Sequence, residues 1–110
     1  MLVELENFEE ENISAFQIIG AFDEDDILKM NLILMEHNKK GKAFNALIDV
    51  SKMEKIAAKP NVITFNKVAL LGGLGVSETG NKIGSLFIIK EMHFYSSNEG
   101  AKAVKWLKQK

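Results

Sequence analysis

Apolar and polar positions change their period several times along this chain, and each change marks an element. Val3 and Leu5 alternate with Glu4 and Glu6, the period-two pattern of a strand with one wet face. Ile13-Ser14-Ala15-Phe16-Gln17-Ile18-Ile19-Gly20 forms a second run rich in strand-forming residues. The polar Glu9-Glu10-Glu11-Asn12 between them suits a hairpin, so the two strands are expected to pair antiparallel. The period then becomes helical. Asp23 can accept backbone N–H bonds as N-cap, and Glu24, Asp25 and Asp26 place negative charge in the positive first turn. Ile27, Met30 and Leu34, together with Leu28, Leu32 and Met35, predict a broad buried stripe. His37, Lys39 and Lys40 suit the negative end of this helix, and Gly41 is placed to stop it.

The second half continues the alternation. Residues 44–50 read as a buried strand containing Asp49, and Pro60 is expected in the first turn of a short helix, since it cannot lie deep inside one. Residues 67–71 read as the next strand, followed by Gly72-Gly73-Leu74-Gly75. A helix is expected from Ser77 or Glu78 to about Lys90, then a short strand over 92–95. Ser96-Ser97-Asn98-Glu99 has capping-box spacing, which predicts a last helix over 97–108 that buries Ala101, Val104 and Leu107. The order ββαβαβαβα predicts a single α/β domain over 1–110: one mixed, mostly parallel sheet with helices packed on it.

Composition narrows the chemistry. The chain has 110 residues, 46% of them apolar, and a net charge of −1, which excludes a disordered tail. It has no Cys, so disulfides, Cys-ligated metals and Cys nucleophiles are excluded. All 14 basic residues are Lys, and the lack of Arg speaks against nucleic acid as partner. The acidic amino-terminal stretch is not a secretory signal, and the longest apolar run, 69–76, is too short to span a membrane; a cytoplasmic location is expected. The small net charge conceals a split. Residues 1–55 carry 12 acids and 6 Lys, residues 56–110 carry 3 acids and 8 Lys. That split suits either two solvated helix faces or a basic face that attracts an acidic partner or anionic lipid.

No cofactor or metal site is expected. His37 and His93 lack helical metal-ligand spacing, and the acids at 23–26 lack the alternation and glycine of a calcium loop. Gly72, Gly73 and Gly75 follow a strand and precede a helix, where anion loops occur, but Glu78 stands where a dinucleotide fingerprint needs glycine. These glycines suit either a ligand loop or a connection with unusual dihedral angles. In the 78–90 segment, Ile83, Leu86, Phe87, Ile88 and Ile89 cover too much circumference for one buried stripe. Either neighbouring elements enclose it, or part faces a partner, with Lys82 and Lys90 at the flanks.

Several of these stretches carry a family resemblance. Ala46-Leu47-Ile48-Asp49-Val50-Ser51, Val68-Ala69-Leu70-Leu71-Gly72, Gly80-Asn81-Lys82-Ile83-Gly84, the 93–101 stretch from His93-Phe94-Tyr95 through Gly100-Ala101, and Ala103-Val104-Lys105-Trp106-Leu107 resemble STAS-like domains related to anti-anti-sigma factors. The SpoIIAA-like branch, also labelled STAS/SEC14 domain-containing, is the most similar. The resemblance implies a bacterial four- or five-stranded domain used for regulated protein interaction or for holding a small or lipidic ligand. In phosphorylated members a phosphoserine opens the helix after the Asp-Leu-Ser strand end. Here that stretch falls near Ala57-Ala58-Lys59-Pro60, without a hydroxyl, so the phosphoswitch is not carried over; Ser51 is the nearest hydroxyl and suits a cap. The leading expectation is a non-enzymatic module that binds a protein partner or a second copy through 72–77 and 78–90. The alternative is a carrier of a small or lipidic ligand. The candidate contacts are Asp49, Ser51, Gly72, Gly73, Gly75, Lys82, Phe87 and Ile88. Catalysis would rest on Asp49 and the two His, with no second convergent group.

Overall fold

The computed structural model describes residues 1–8, 12–37, 43–72 and 76–109. Five strands and three helices follow in the order β1 (Leu2–Phe8), β2 (Ile13–Asp23), α1 (Glu24–His37), β3 (Phe44–Ala57), β4 (Thr64–Gly72), α2 (Val76–Gly84), β5 (Ile88–Ser96) and α3 (Gly100–Lys108). The strands lie in sequence order in one sheet. β1 pairs antiparallel with β2, and every later pair is parallel. The mixed, mostly parallel α/β sheet is therefore as expected.

Alternation assigns the two faces. Phe16, Ile18, Ile48, Val68 and Leu70 meet Ile27, Met30, Ile33 and Leu34 of α1 and Ile83 of α2 on one face. Ala15, Leu47, Ala69 and Leu71 meet Ala103 and Leu107 of α3 on the other. Small side chains on both partners let α3 seat closely.

Four details differ from the expectation. No helix separates β3 from β4; β3 itself continues to Ala57, and residues 58–63 form the connection. A straight strand of 14 residues would run about 43 Å at ~3.3 Å per residue, beyond the longest extent of 33 Å. The β2–β3 pair is bent instead. Its register shifts between Gln17 and Ile19 and again between Gly20 and Ala21, and Gly20 takes φ 71°, which glycine adopts without Cβ strain. The bend carries Phe22, at the end of β2, to 6.3 Å from the ring of Phe87, which packs edge-on to Phe65 at 5.3 Å near the start of β4. The connection then closes by short bonds. Lys59 N–H donates to Glu24 Oε1 (2.7 Å) and Asn61 N–H to the Leu86 carbonyl (2.8 Å).

The helix expected over 78–90 ends at Gly84. Ser85 Oγ donates to the Lys82 carbonyl at 2.6 Å, and Leu86 N–H donates to the Ile83 carbonyl at 3.0 Å, tightening the last turn. Phe87-Ile88-Ile89 then leave the helix, and the strand expected at 92–95 begins at Ile88. The last helix opens at Gly100, not Ser97, and only half of the capping box forms. The Glu99 carboxylate accepts Ser96 N–H (2.9 Å), but Ser96 Oγ donates to Asn98 and Glu99 instead of accepting Glu99 N–H, which bonds the Ser96 carbonyl at 3.0 Å. Its buried residues are Ala103 and Leu107, with Val104 half-buried, while Ala101 is exposed. Finally, α1 buries only half of its expected stripe. Ile27, Met30, Ile33 and Leu34 face the sheet, whereas Leu28, Leu32 and Met35 face outward.

The start of α1 is tied to the sheet by Asp26. Asp23 caps as expected, and its carboxylate accepts Asp26 N–H while Asp26 accepts Asp23 N–H, both at 3.0 Å. The other Asp26 oxygen accepts Leu2 N–H of β1 at 2.9 Å. Burial pushes the Asp26 carboxyl up, but the N–H groups of Asp23 and Leu2, the Met1 amino group and the Asp23 side chain outweigh it and hold it below the ordinary carboxylate range. The unfolded chain therefore takes up this proton at higher pH than the native one. The stabilisation is complete above the ordinary aspartate range and is lost as pH falls through the lowered native value. In urea unfolding across neutral to acid pH, Asp26→Asn is expected to lose about 1.5–3 kcal/mol at neutral pH and to show a shallower acid decline than the wild type.

Candidate functional site

The expected contact residues do not form one site. Asp49 and Ser51 stand where β3 passes β4, with Asp49 in register with Leu71 and Gly72 in register with Ser96. This brings Asp49, Ser51 and Gly72 together beside the carboxyl end of β4, partway along β3. Gly73 and Gly75 lie outside the described residues. Ile88 is in register with Thr64 at the opposite end of β4, roughly 26 Å away along the strand at ~3.3 Å per residue. Lys82 is exposed on α2.

At the strand ends the chemistry is local. Asp49 Oδ1 accepts both Ser51 N–H (2.9 Å) and Ser51 Oγ–H (2.6 Å), while Oδ2 accepts from Gln17 Nε2 at 3.4 Å. The carboxylate is thus occupied in holding the bulge of β3 after Asp49 and the neighbouring β2, as a side chain that competes for local backbone donors does. The cap expected of Ser51 does not form: Ser51 lies inside β3, no helix follows it before β4, and both its N–H and its hydroxyl donate to Asp49. Open α/β sheets gather ligands where successive crossovers diverge to opposite faces and leave a crevice at the strand ends. Here the strand order is strictly sequential, and α1 and α2 lie on the same face. The described crossovers do not diverge beside Asp49.

Both His residues gain partners that sequence alone did not reveal. His37 Nε2 lies 3.3 Å from Glu4 of β1. His93 Nε2 lies 3.8 Å from Glu91, and its ring stacks on Trp106 of α3 at 3.9 Å and 15°. Lys67 Nζ stands 5.2 Å from the same indole and donates to the Gln109 carbonyl (2.6 Å), capping the negative end of α3 from a neighbouring strand. Among the described residues no group of three or more His, Cys, Asp or Glu is placed to hold a metal ion. No helix of the described residues is long and apolar enough to cross a membrane.

Phe87 and Ile88 separate. Phe87 is buried at 6% exposure in the ring cluster, while Ile88 is 55% exposed. Phe87 is therefore a core residue, not a contact residue. Exposed apolar surface lies instead on α1, where Leu28, Leu32 and Met35 are 62%, 68% and 62% exposed at i, i+4 and i+7. Their signal was present in the sequence: apolar residues on two sides of one helix cover a wider arc than a single sheet contact hides.

The profile of the SpoIIAA-like family matches residues 13–108. The chain belongs to the SpoIIAA-like family. Among solved structures, it is similar to an uncharacterized protein of the DUF3478 family with a SpoIIAA-like fold from Shewanella loihica PV-4. The TM-score is 0.66 at 18% identity, over 96% of this chain and 93% of that one. At that identity the likeness establishes the fold. No curated protein matches the chain. The resemblance carried by the Asp49 strand and the Trp106-Leu107 ending thus holds for the family and the fold.

The two neighbours at 87 and 88 should respond oppositely to truncation. Phe87→Ala is expected to cost about 3–5 kcal/mol of unfolding free energy, and Ile88→Ala no more than roughly 0.5 kcal/mol, both measured by chemical denaturation.

Proposed function

We propose that this SpoIIAA-like domain is a non-catalytic protein-interaction module that receives a protein partner on the outer face of α1. The observation that carries the proposal is the exposure of Leu28, Leu32 and Met35 in line along one helix. Single exposed leucines are ordinary, but three large apolar side chains in register form a continuous stripe of the kind that amphipathic segments recognise. The rim is mainly acidic: Glu24, Asp25 and Glu36 are exposed beside the stripe, against Lys29, whose ammonium is engaged by the Leu2 carbonyl. That pattern selects an amphipathic partner segment with apolar residues at helical spacing and Lys or Arg at its flanks. The same rim disfavours an anionic membrane, whose headgroups repel acids. Asp49 and Ser51 then support the scaffold by fixing the bulge of β3.

The test uses a fluorescein-labelled synthetic peptide with leucines at helical spacing and lysine flanks, its binding read by fluorescence anisotropy. Leu28→Ser/Leu32→Ser is expected to weaken binding by at least about ten-fold, since each leucine buried on docking contributes roughly 1.5–3 kcal/mol, with the unfolding midpoint unchanged. Added salt should weaken wild-type binding as well. Unchanged affinity in the double variant would overturn the proposal. So would binding to anionic phosphatidylserine vesicles that the same substitutions abolish, which would indicate a lipid partner.

A further inference from the structure

The two edges of the sheet are built differently. β1 closes one edge with a register irregularity between Glu4 and Asn7 and with acidic residues along its length, features that discourage further strand pairing. β5 forms the other edge; it carries the charged pair Lys90 and Glu91 but no bulge. It stays at one constant offset from β4, from Thr64↔Ile88 to Gly72↔Ser96, with no register shift. None of its nine residues is buried. Among the described residues β4 is its only strand neighbour. In a parallel ladder alternate residues of an edge strand direct both N–H and C=O away from their neighbour, so β5 presents a row of open donors and acceptors.

We infer that β5 pairs antiparallel with β5 of a second copy of this chain, about a two-fold axis at Met92, joining two five-stranded sheets into one. The choice of a second copy rests on the sequence of the strand itself. Glu91 and His93 flank Met92 and share the face that carries Trp106. Turned about Met92, each Glu91 comes opposite the partner's His93, giving two cross-strand carboxylate–imidazole pairs suited to hydrogen bonding around a central Met92–Met92 contact. Moving the axis by one pleat removes the match: centred on Phe94, His93 meets the partner's Tyr95, and centred on Lys90, two lysines oppose each other. Phe94 adds apolar surface two residues from the axis. The residue is 42% exposed, and its ring lies over Gly80 of α2, where a Cβ would collide with it. This surface is separate from the stripe on α1, so the two proposals fail independently.

The chain has no Cys, which makes the register directly testable. Met92→Cys, oxidised with diamide and read on non-reducing gels and by intact mass, is expected to form a disulfide-linked dimer. Ile88→Cys and Leu32→Cys, placed off the axis and on α1, are expected to stay largely monomeric under the same treatment. A second arm needs no cysteine. In sedimentation velocity the wild type should dimerise with rising concentration, Glu91→Lys should weaken dimerisation by roughly ten-fold, and Glu91→Lys/His93→Glu should restore it. The inference is overturned by a wild type that stays monomeric at hundreds of micromolar, or by crosslinking of Ile88→Cys or Leu32→Cys that equals that of Met92→Cys.

Discussion

The fold depends on the contact between Phe22 and Phe87. Phe22 ends a strand whose middle lies deep in the sheet, and Phe87 sits just before the edge strand, beside the start of β4. They meet only because the β2–β3 pair bends back over the face that holds α1 and α2. The bend needs a residue that enters positive φ without strain, supplied by Gly20, and two slips in register that increase the local twist. Once it has formed, β3 delivers the chain close to the start of β4, and six residues suffice where a parallel crossover normally takes a helix. The Phe22–Phe87–Phe65–Phe44 series then fills the closed end with edge-on and tilted rings, an arrangement favoured by the ring quadrupole.

This closure decides where function can sit. The face under the bend is occupied by rings and by the inner sides of α1 and α2, and the other face is partly covered by α3. The strand ends, where a ligand crevice is the usual arrangement in open sheets, are held by the hydrogen bonds of Asp49, Ser51 and Gln17. The outer surfaces that stay open are the apolar stripe of α1 with its acidic neighbours and the β5 edge, which has no further strand beside it among the described residues. The charge split along the chain takes a spatial meaning as well, because α1 with its exposed acids and α3 with Lys102, Lys105 and Lys108 lie on opposite faces of the sheet.

Much of this was legible in the residues. The hairpin at the start, the Asp23 cap, the strand through Asp49 and the lysine side of the last helix follow from periodicity and capping chemistry. What escaped followed from tertiary context. A β3 running to Ala57 contains Lys52, Glu54 and Lys55, which carry little strand signal, and its pairing with the end of β2 supplies the bonds that local propensity does not. Leu86, Phe87 and Ile88 continue an apolar run after α2, and only the Ser85 turn and the pairing of Ile88 with Thr64 divide it into core and edge. The same ambiguity bears on where apolar surface is exposed. An over-wide apolar arc was noticed at 78–90, where the core absorbs most of it, while the equally wide arc of α1 is the one left half in water.

Methionine methyl groups report on each of these regions separately: Met35 in the α1 stripe, Met30 buried beneath it, Met53 beyond Ser51 on β3 and Met92 on the edge strand. The most direct measurement is a methyl-resolved nuclear magnetic resonance titration of the intact protein with the lysine-flanked amphipathic peptide. Recognition by the outer face of α1 predicts a saturable shift of the Met35 methyl while Met53 and Met92 stay in place. A shift at Met53 with Met35 unmoved would place recognition at the strand ends around Asp49 and contradict it.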